Sequence, residues 1–145
     1  MPEIEFDWET GINDVCSKLK DKKLIGIQIP DGLKVKSHTI TKKIKELTGA
    51  NVILWGEPTY GACDLADRPL EEVGADALIH LGHMPMPYHS EFYAIPTYFV
   101  PVKHTGKLNL KENSLKEIKE MLPKKIGILT TVSYTHLTLP TKRIV

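Results

Sequence analysis

The sequence predicts an α/β fold, a parallel sheet flanked by helices, from three observations. Apolar runs with almost no alternation recur at 24–29, 51–55, 77–81 and 97–102, as expected of strands covered on both faces. Segments with apolar residues at helical spacing lie before the first of these runs and between the next two pairs. Loops rich in Gly and Pro follow the strands, and the repeated strand-helix order is the pattern of a parallel sheet.

Taken in order, Ile12, Val15, Cys16 and Leu19 recur at i, i+3, i+4 and i+7 and predict a helix over 10–20, with Cys16 on its buried stripe. The first strand, Leu24-Ile25-Gly26-Ile27-Gln28-Ile29, stops at Pro30-Asp31-Gly32. There a proline sets φ, an aspartate can bond ahead to the backbone and a glycine relaxes the steric limits of a turn. This turn reads either as punctuation or as a ligand loop, because parallel folds bind ligands beyond the strand C-termini. Ile40, Ile44 and Leu47 mark a helix over 36–48 that Gly49 closes. After the strand at 51–55 comes the loop Tyr60-Gly61-Ala62-Cys63-Asp64-Leu65-Ala66-Asp67. Leu65, Ala66, Leu70 and Val73 then supply the stripe of a short helix, with Pro69 in its first turn.

The strand Ala77-Leu78-Ile79-His80-Leu81 ends in Gly82-His83, and alternating prolines make 84–89 a loop. Pro96 precedes the strand at 97–102, and 103–113 is a polar connector. Ser114-x-x-Glu117 reads as a capping box for a helix bearing Leu115, Ile118 and Leu122, stopped by Pro123. The run Lys125-Ile126-Gly127-Ile128-Leu129 then echoes Lys23-Leu24-Ile25-Gly26-Ile27, each behind a lysine-rich amphipathic helix. The expected organisation is therefore a first α/β domain over 1–112, the opening of a second over 113–132, and a tail over 133–145. That tail carries no helical stripe, cap or return strand and resembles translated adapter read-through, so it is expected to be foreign to the fold.

A chain of 145 residues can bury a sizeable core in one domain. Its formal charge of +1 offers no general electrostatic attraction for nucleic acid, and no apolar run approaches the roughly 18 residues of a membrane span. The acidic N-terminus lacks a secretory pattern, so a cytoplasmic protein is expected, with its two cysteines as thiols rather than a disulfide. The lysine clusters at 34–36, 42–45 and 116–125 sit between apolar helical positions and read as solvated faces.

Cys63 is the centre of chemical interest. Gly61 and Ala62 leave room beside it, and a thiol where a loop becomes helical has its thiolate favoured by free backbone N–H groups. From the residue alone a small buried hydrophobe is the commoner reading, because unpaired cysteines are among the most buried residues. His80 and His83, with His89 and His104 downstream, suggest a zinc site, but their placement across a strand end also suits hydrogen-bonded structural histidines or substrate contacts. A Cys/His hydrolase lacks an orienting Asp or Asn identifiable by spacing, and no Gly-x-Gly-x-x-Gly or Walker loop follows a strand.

Three ordered blocks, Gln28-x-Pro30-Asp31-Gly32-Leu33, Tyr60 to Asp67, and Gly74-Ala75-Asp76-x-Leu78-Ile79-His80-x-Gly82-His83, resemble the diphthamide-biosynthesis family of 2-(3-amino-3-carboxypropyl)histidine synthases, archaeal single-subunit type. The likeness covers 8–132. It implies the first of three similar α/β domains, each giving one cysteine to a [4Fe-4S] cluster, usually in a homodimer. It also implies transfer of the 3-amino-3-carboxypropyl group from S-adenosylmethionine to a histidine of translation elongation factor 2, with release of methylthioadenosine. On this resemblance Cys63 is the cluster ligand and Cys16 matches none. Tyr60, Asp64 and His83 are taken as cosubstrate-binding residues from their closeness to the cysteine loop. One thiolate cannot hold a four-iron cluster, so the chain by itself is expected to be inactive. A self-contained small-ligand-binding α/β module, using the 30–32 and 82–88 loops, is the alternative.

Overall fold

In the computed structural model, which describes residues 6–86, 92–104 and 112–123, the elements follow one another as strand β1 (Phe6–Asp7), helix α1 (Glu9–Ser17) and strand β2 (Leu24–Gln28). A 3-10 turn (Asp31–Lys36) then leads into α2 (Ser37–Thr48), followed by β3 (Asn51–Leu54), α3 (Asp67–Glu72), β4 (Ala77–Leu81), β5 (Thr97–Val100), β6 (Lys103–His104) and α4 (Glu112–Met121). The main sheet has four parallel strands in the order β3-β2-β4-β5. The chain leaves β2 toward β3, then crosses back to place β4 on the other side of β2. The reversal opens a switch point between β2 and β4, where this class of sheet presents its ligand crevice.

Side chains alternate across the strands and divide the interior in two. Ile25, Ile27, Ala77, Ile79, Leu81 and Val100 pack with Ile12, Cys16 and Leu19 of the first helical segment and with Ile40 and Ile44 of α2. On the opposite face Leu78 packs with Ala66, Leu70, Ala75 and Ile95. Burial of a leucine such as Leu70 contributes roughly 2 kcal/mol. Its close seat depends on Gly26, where a Cβ would come within 2.6 Å of Leu70 Cδ1. At the other end of the sheet the Asp76 carboxylate accepts the backbone N–H of Lys23 at 2.7 Å and of Leu24 at 2.9 Å, joining the starts of β4 and β2.

The predicted strands and the helices around them stand, and Gly49 closes α2 in the left-handed conformation at φ 75°. Several expectations are corrected. The Pro30-Asp31-Gly32 segment opens the 3-10 turn rather than a simple reversal, because Leu33 N–H bonds the Pro30 carbonyl at 2.8 Å and the chain then coils into α2. Within the presumed connector, Lys103–His104 pairs antiparallel with Phe6–Asp7, a long-range ladder with no local signal. The capping box is also displaced: α4 begins at Glu112, so Ser114 and Glu117 lie inside it. Val73 is exposed beyond the end of α3 and takes no part in its stripe. Leu115, Ile118 and Leu122 remain exposed as well. The apolar run 125–129, the tail 133–145 and residues 87–89 of the proline loop lie outside the described residues. Among those described, no helix is long and apolar enough to cross a membrane.

Candidate functional site

The register of the sheet sets Gln28, the last residue of β2, opposite His80 of β4, which is in turn opposite Phe99 of β5. All three occupy the sheet face that carries Leu78, the side covered by α3 and the cysteine loop. Gln28 and His80 are fully enclosed, at 1% and 0% exposure, so each polar atom needs a partner.

The Gln28 amide finds two of them in the cysteine loop. Its Nε2 donates to the Asp64 carbonyl, and its Oε1 accepts the Ala66 N–H at 3.2 Å. A carbonyl on one side and an N–H on the other leave only one orientation of that amide. Its oxygen therefore faces His80 Nδ1, 3.0 Å away, and the imidazole must donate there. Burial, reinforced by the neighbouring His83, pushes the His80 pKa down to about 3, so the ring is neutral near pH 7. A neutral ring protonated at Nδ1 has a lone pair at Nε2. Nε2 lies 2.9 Å from His83 Nδ1, which is accordingly the donor of that bond. Burial also lowers the pKa of His83, opposed by the Leu81 carbonyl.

The cysteine loop is a tight turn. Asp64 N–H bonds the Gly61 carbonyl at 3.1 Å, and the Asp64 carboxylate accepts the Tyr60 N–H at 3.2 Å. Cys63 projects from this turn as an exposed free thiol. The helix begins only at Asp67, so the expectation that Cys63 stands at a helix N-terminus is corrected: the turn presents the sulfur, not a helix end. Cys16, by contrast, is buried, and burial pushes its thiol up to about 11, as its place on the apolar stripe predicted.

Of the other predicted residues, His83 is half-buried and joined to His80, while Asp64 spends its carboxylate and carbonyl on closing and anchoring the loop. Gln28 and His80 bring those two into one network; the Tyr60 ring stands at 83% exposure. Beyond His80, Phe99 packs at 5.3 Å between ring centroids, with Tyr93 at 6.1 Å from Phe99. The hydroxyls of Tyr93 and Thr59 are buried with no hydrogen-bond partner among the described residues.

Two residues of the site were given no role by the sequence reading, although Gln28 opens the first of the three ordered blocks. Gln28 had one available signal, an amide at the end of an otherwise apolar strand. Lys34 had none: read as part of a solvated cluster, it instead binds the carbonyls of Gly56 at 3.0 Å and Glu57 at 2.8 Å and the Asp31 carboxylate at 2.7 Å. That ammonium ties the turn after β2 to the loop after β3.

Among the described residues no group of three or more His, Cys, Asp or Glu side chains could hold a metal ion. The exposed Cys63 thiol fits one corner of a metal centre and no more.

Comparison with known proteins adds the following. Residues 29–145 match the family model described as "Putative diphthamide synthesis protein". The chain is 31% identical over 145 residues to the 2-(3-amino-3-carboxypropyl)histidine synthase of Methanocaldococcus jannaschii, covering 92% of this chain and 42% of that protein. To the protein of the same name from Pyrococcus horikoshii it is 42% identical over 125 residues, covering 81% of this chain and 35% of that one. The crystal structure of Dph2 from Pyrococcus horikoshii with 4Fe-4S cluster superposes with a TM-score of 0.63 at 35% identity, over 81% of this chain and 33% of that one. The chain thus spans less than half the length of these relatives.

Proposed function

The chain belongs to the diphthamide synthesis family, and from that premise we propose that it is one portion of a 2-(3-amino-3-carboxypropyl)histidine synthase. The reaction is transfer of the 3-amino-3-carboxypropyl group from S-adenosylmethionine to a histidine of translation elongation factor 2. Both the names of the relatives and the crystal structure of a relative with a 4Fe-4S cluster support this reading. The single observation in this chain that carries it is the exposed Cys63 thiol, held on a turn that Gln28 anchors beside the switch point.

On this reading Cys63 is one thiolate ligand of the cluster, which when bound supplies the electron for cleaving the sulfonium Cγ–S bond. The chain's own contribution is positional. The Asp64 carboxylate closes the turn, Gln28 anchors it to β2, and the buried His80 beneath keeps that side of the site uncharged near neutral pH. Placement matters because a displacement of about 1 Å can cost on the order of a hundredfold in rate. Cys16, buried in the core, is no ligand, so this chain alone holds one corner of the cluster and does not catalyse. The complete enzyme acts as a cytoplasmic homodimer.

The test uses a protein of the relatives' full length that carries this chain, reconstituted with iron and sulfide without oxygen, then reduced in the presence of S-adenosylmethionine and the elongation factor. Methylthioadenosine and a modified histidine are expected, with both product and iron lost in Cys63→Ala and iron retained in Cys16→Ala. 5′-Deoxyadenosine as the main product, or full iron in Cys63→Ala, overturns the proposal. A small-ligand-binding module would yield neither iron binding nor turnover.

A further inference from the structure

The hydrogen-bond chain that begins in the cysteine loop ends on a ring nitrogen with a defined chemical character. Ala66 N–H and Asp64 C=O orient the Gln28 amide, Gln28 Oε1 takes the proton at His80 Nδ1, and His80 Nε2 takes the proton at His83 Nδ1. Reversing either imidazole would set two lone pairs or two protons against each other inside a closed site. Neutral His83 is left with an unprotonated Nε2, on a half-buried side chain at the C-terminal end of β4, beside the switch point.

We infer that Gln28 and His80 are positioning residues that hold His83 as its Nδ1–H tautomer, making His83 Nε2 a hydrogen-bond acceptor for an N–H donor on the ligand. The donor is an ammonium or a neutral imidazole N–H. A fully deprotonated anion such as a carboxylate or sulfate is excluded, because it brings no hydrogen to that lone pair and is repelled by it. On the function proposed above there are two sources of such a group, the amino group of the transferred aminocarboxypropyl unit and the imidazole of the target histidine. The choice between these sources rests on that reading, whereas the tautomer rests only on this chain.

A substitution at Gln28 can reverse the relay in a way that plain packing would not. In Gln28→Glu a carboxylate replaces the amide oxygen opposite His80 Nδ1 and favours the charged ring. Once protonated, His80 donates from Nε2, and His83 must accept at Nδ1 and carry its own proton at Nε2. Among the described residues His83 is the one titratable group acting directly on His80; Asp64 lies beyond Gln28 and Tyr93 beyond Phe99.

The experiment is long-range proton–nitrogen NMR on the 145-residue chain with labelled histidine. Wild type should show Nδ1–H for both His80 and His83 at pH 7. Gln28→Glu should show His83 shifting to Nε2–H as pH falls through the His80 titration, and Gln28→Leu, if folded, should show mixed tautomers. Nε2–H on His83 in wild type, or a tautomer indifferent to both substitutions, overturns the relay whatever the enzyme proves to be. S-adenosylmethionine, methylthioadenosine, N-acetylhistidine methylamide and sulfate are then titrated separately while the His83 Nε2 signal is followed. A response to S-adenosylmethionine that methylthioadenosine does not reproduce identifies the ammonium as donor, and one to N-acetylhistidine methylamide the imidazole. A response to sulfate, a response to S-adenosylmethionine that methylthioadenosine reproduces, or no response to any of them overturns the acceptor role.

Discussion

Gly82 lies against Pro30 so closely that a Cβ on the glycine would sit 2.7 Å from the proline Cγ. These residues end neighbouring strands, β4 and β2, so their contact sets the width of the switch point. Gly82 also holds φ at 85°, a region that side chains resist, and donates its N–H to the Val100 carbonyl at 2.9 Å. The two strand ends therefore meet through a position only glycine fills without strain.

Gly82→Ala accordingly costs stability twice, through the positive φ and through the proline ring, by about 1–3 kcal/mol. His83, the next residue, is displaced with it. Chemical denaturation measures the first effect and the His83 nitrogen signals the second; an unchanged midpoint and unchanged signals would refute the argument.

The two cysteines separate by environment. Cys16→Ala empties a fully enclosed place on the α1 stripe and should lower stability by about 1–2 kcal/mol. Cys63→Ala, at an exposed turn, should stay within about 0.5 kcal/mol of wild type. A thiol reagent added to the native chain should label Cys63 quickly and Cys16 only on unfolding. Equal labelling rates would contradict the burial.

The histidines make stability fall on the acid side. His80 and His83 both have folded pKa values below the ordinary 6.5, so under acidic conditions the unfolded chain takes up protons that the folded chain refuses. The stability they contribute is full above the unfolded value of about 6.5 and is lost as pH falls toward the folded value, about 3 for His80. Between about pH 6 and 5 exposed carboxylates remain ionised, so the slope there belongs to the histidines, up to about 1.4 kcal/mol per pH unit for each. Denaturation midpoints at three pH values check it, and His80→Gln should flatten the slope. Below that window Asp76 adds loss of the same sign. Its carboxyl is held low by the N–H bonds from Leu24 and Lys23, and its contribution disappears as it protonates.

Lys34→Met removes a charged donor from two loop carbonyls and one carboxylate. A loss of about 1–2 kcal/mol is expected, since hydrogen bonds from a charged group are worth more than neutral ones and this one is partly screened by solvent. Faster amide exchange confined to residues 55–57 and 31–36 would accompany it. No change in either region would return Lys34 to the solvated surface.

What could be read from the chain by itself was what neighbours in sequence decide. Unbroken apolar runs specified strands β2 to β5, helical spacing specified α1 and α2, and Gly49 marked the end of α2, because each depends on residues within a few positions of one another. The same local logic separated Cys16, on a buried stripe, from Cys63, in a loop, and three short ordered blocks sufficed for the family. Strand order was not legible. Four similar apolar runs carry no label saying which pairs with which, and only the packed sheet put β4 beside β2 and Gln28 opposite His80, 52 positions apart. The candidate site follows from that pairing. His80 in sequence was a histidine in a strand with several possible roles; in the fold, enclosure makes it neutral and an amide from another strand selects its tautomer. Lys34, read as surface, became a clamp because the carbonyls it binds lie more than twenty positions away. Hydrogen bonds and desolvation act at a few ångströms in space, and separations along the chain do not encode those distances until the sheet has formed.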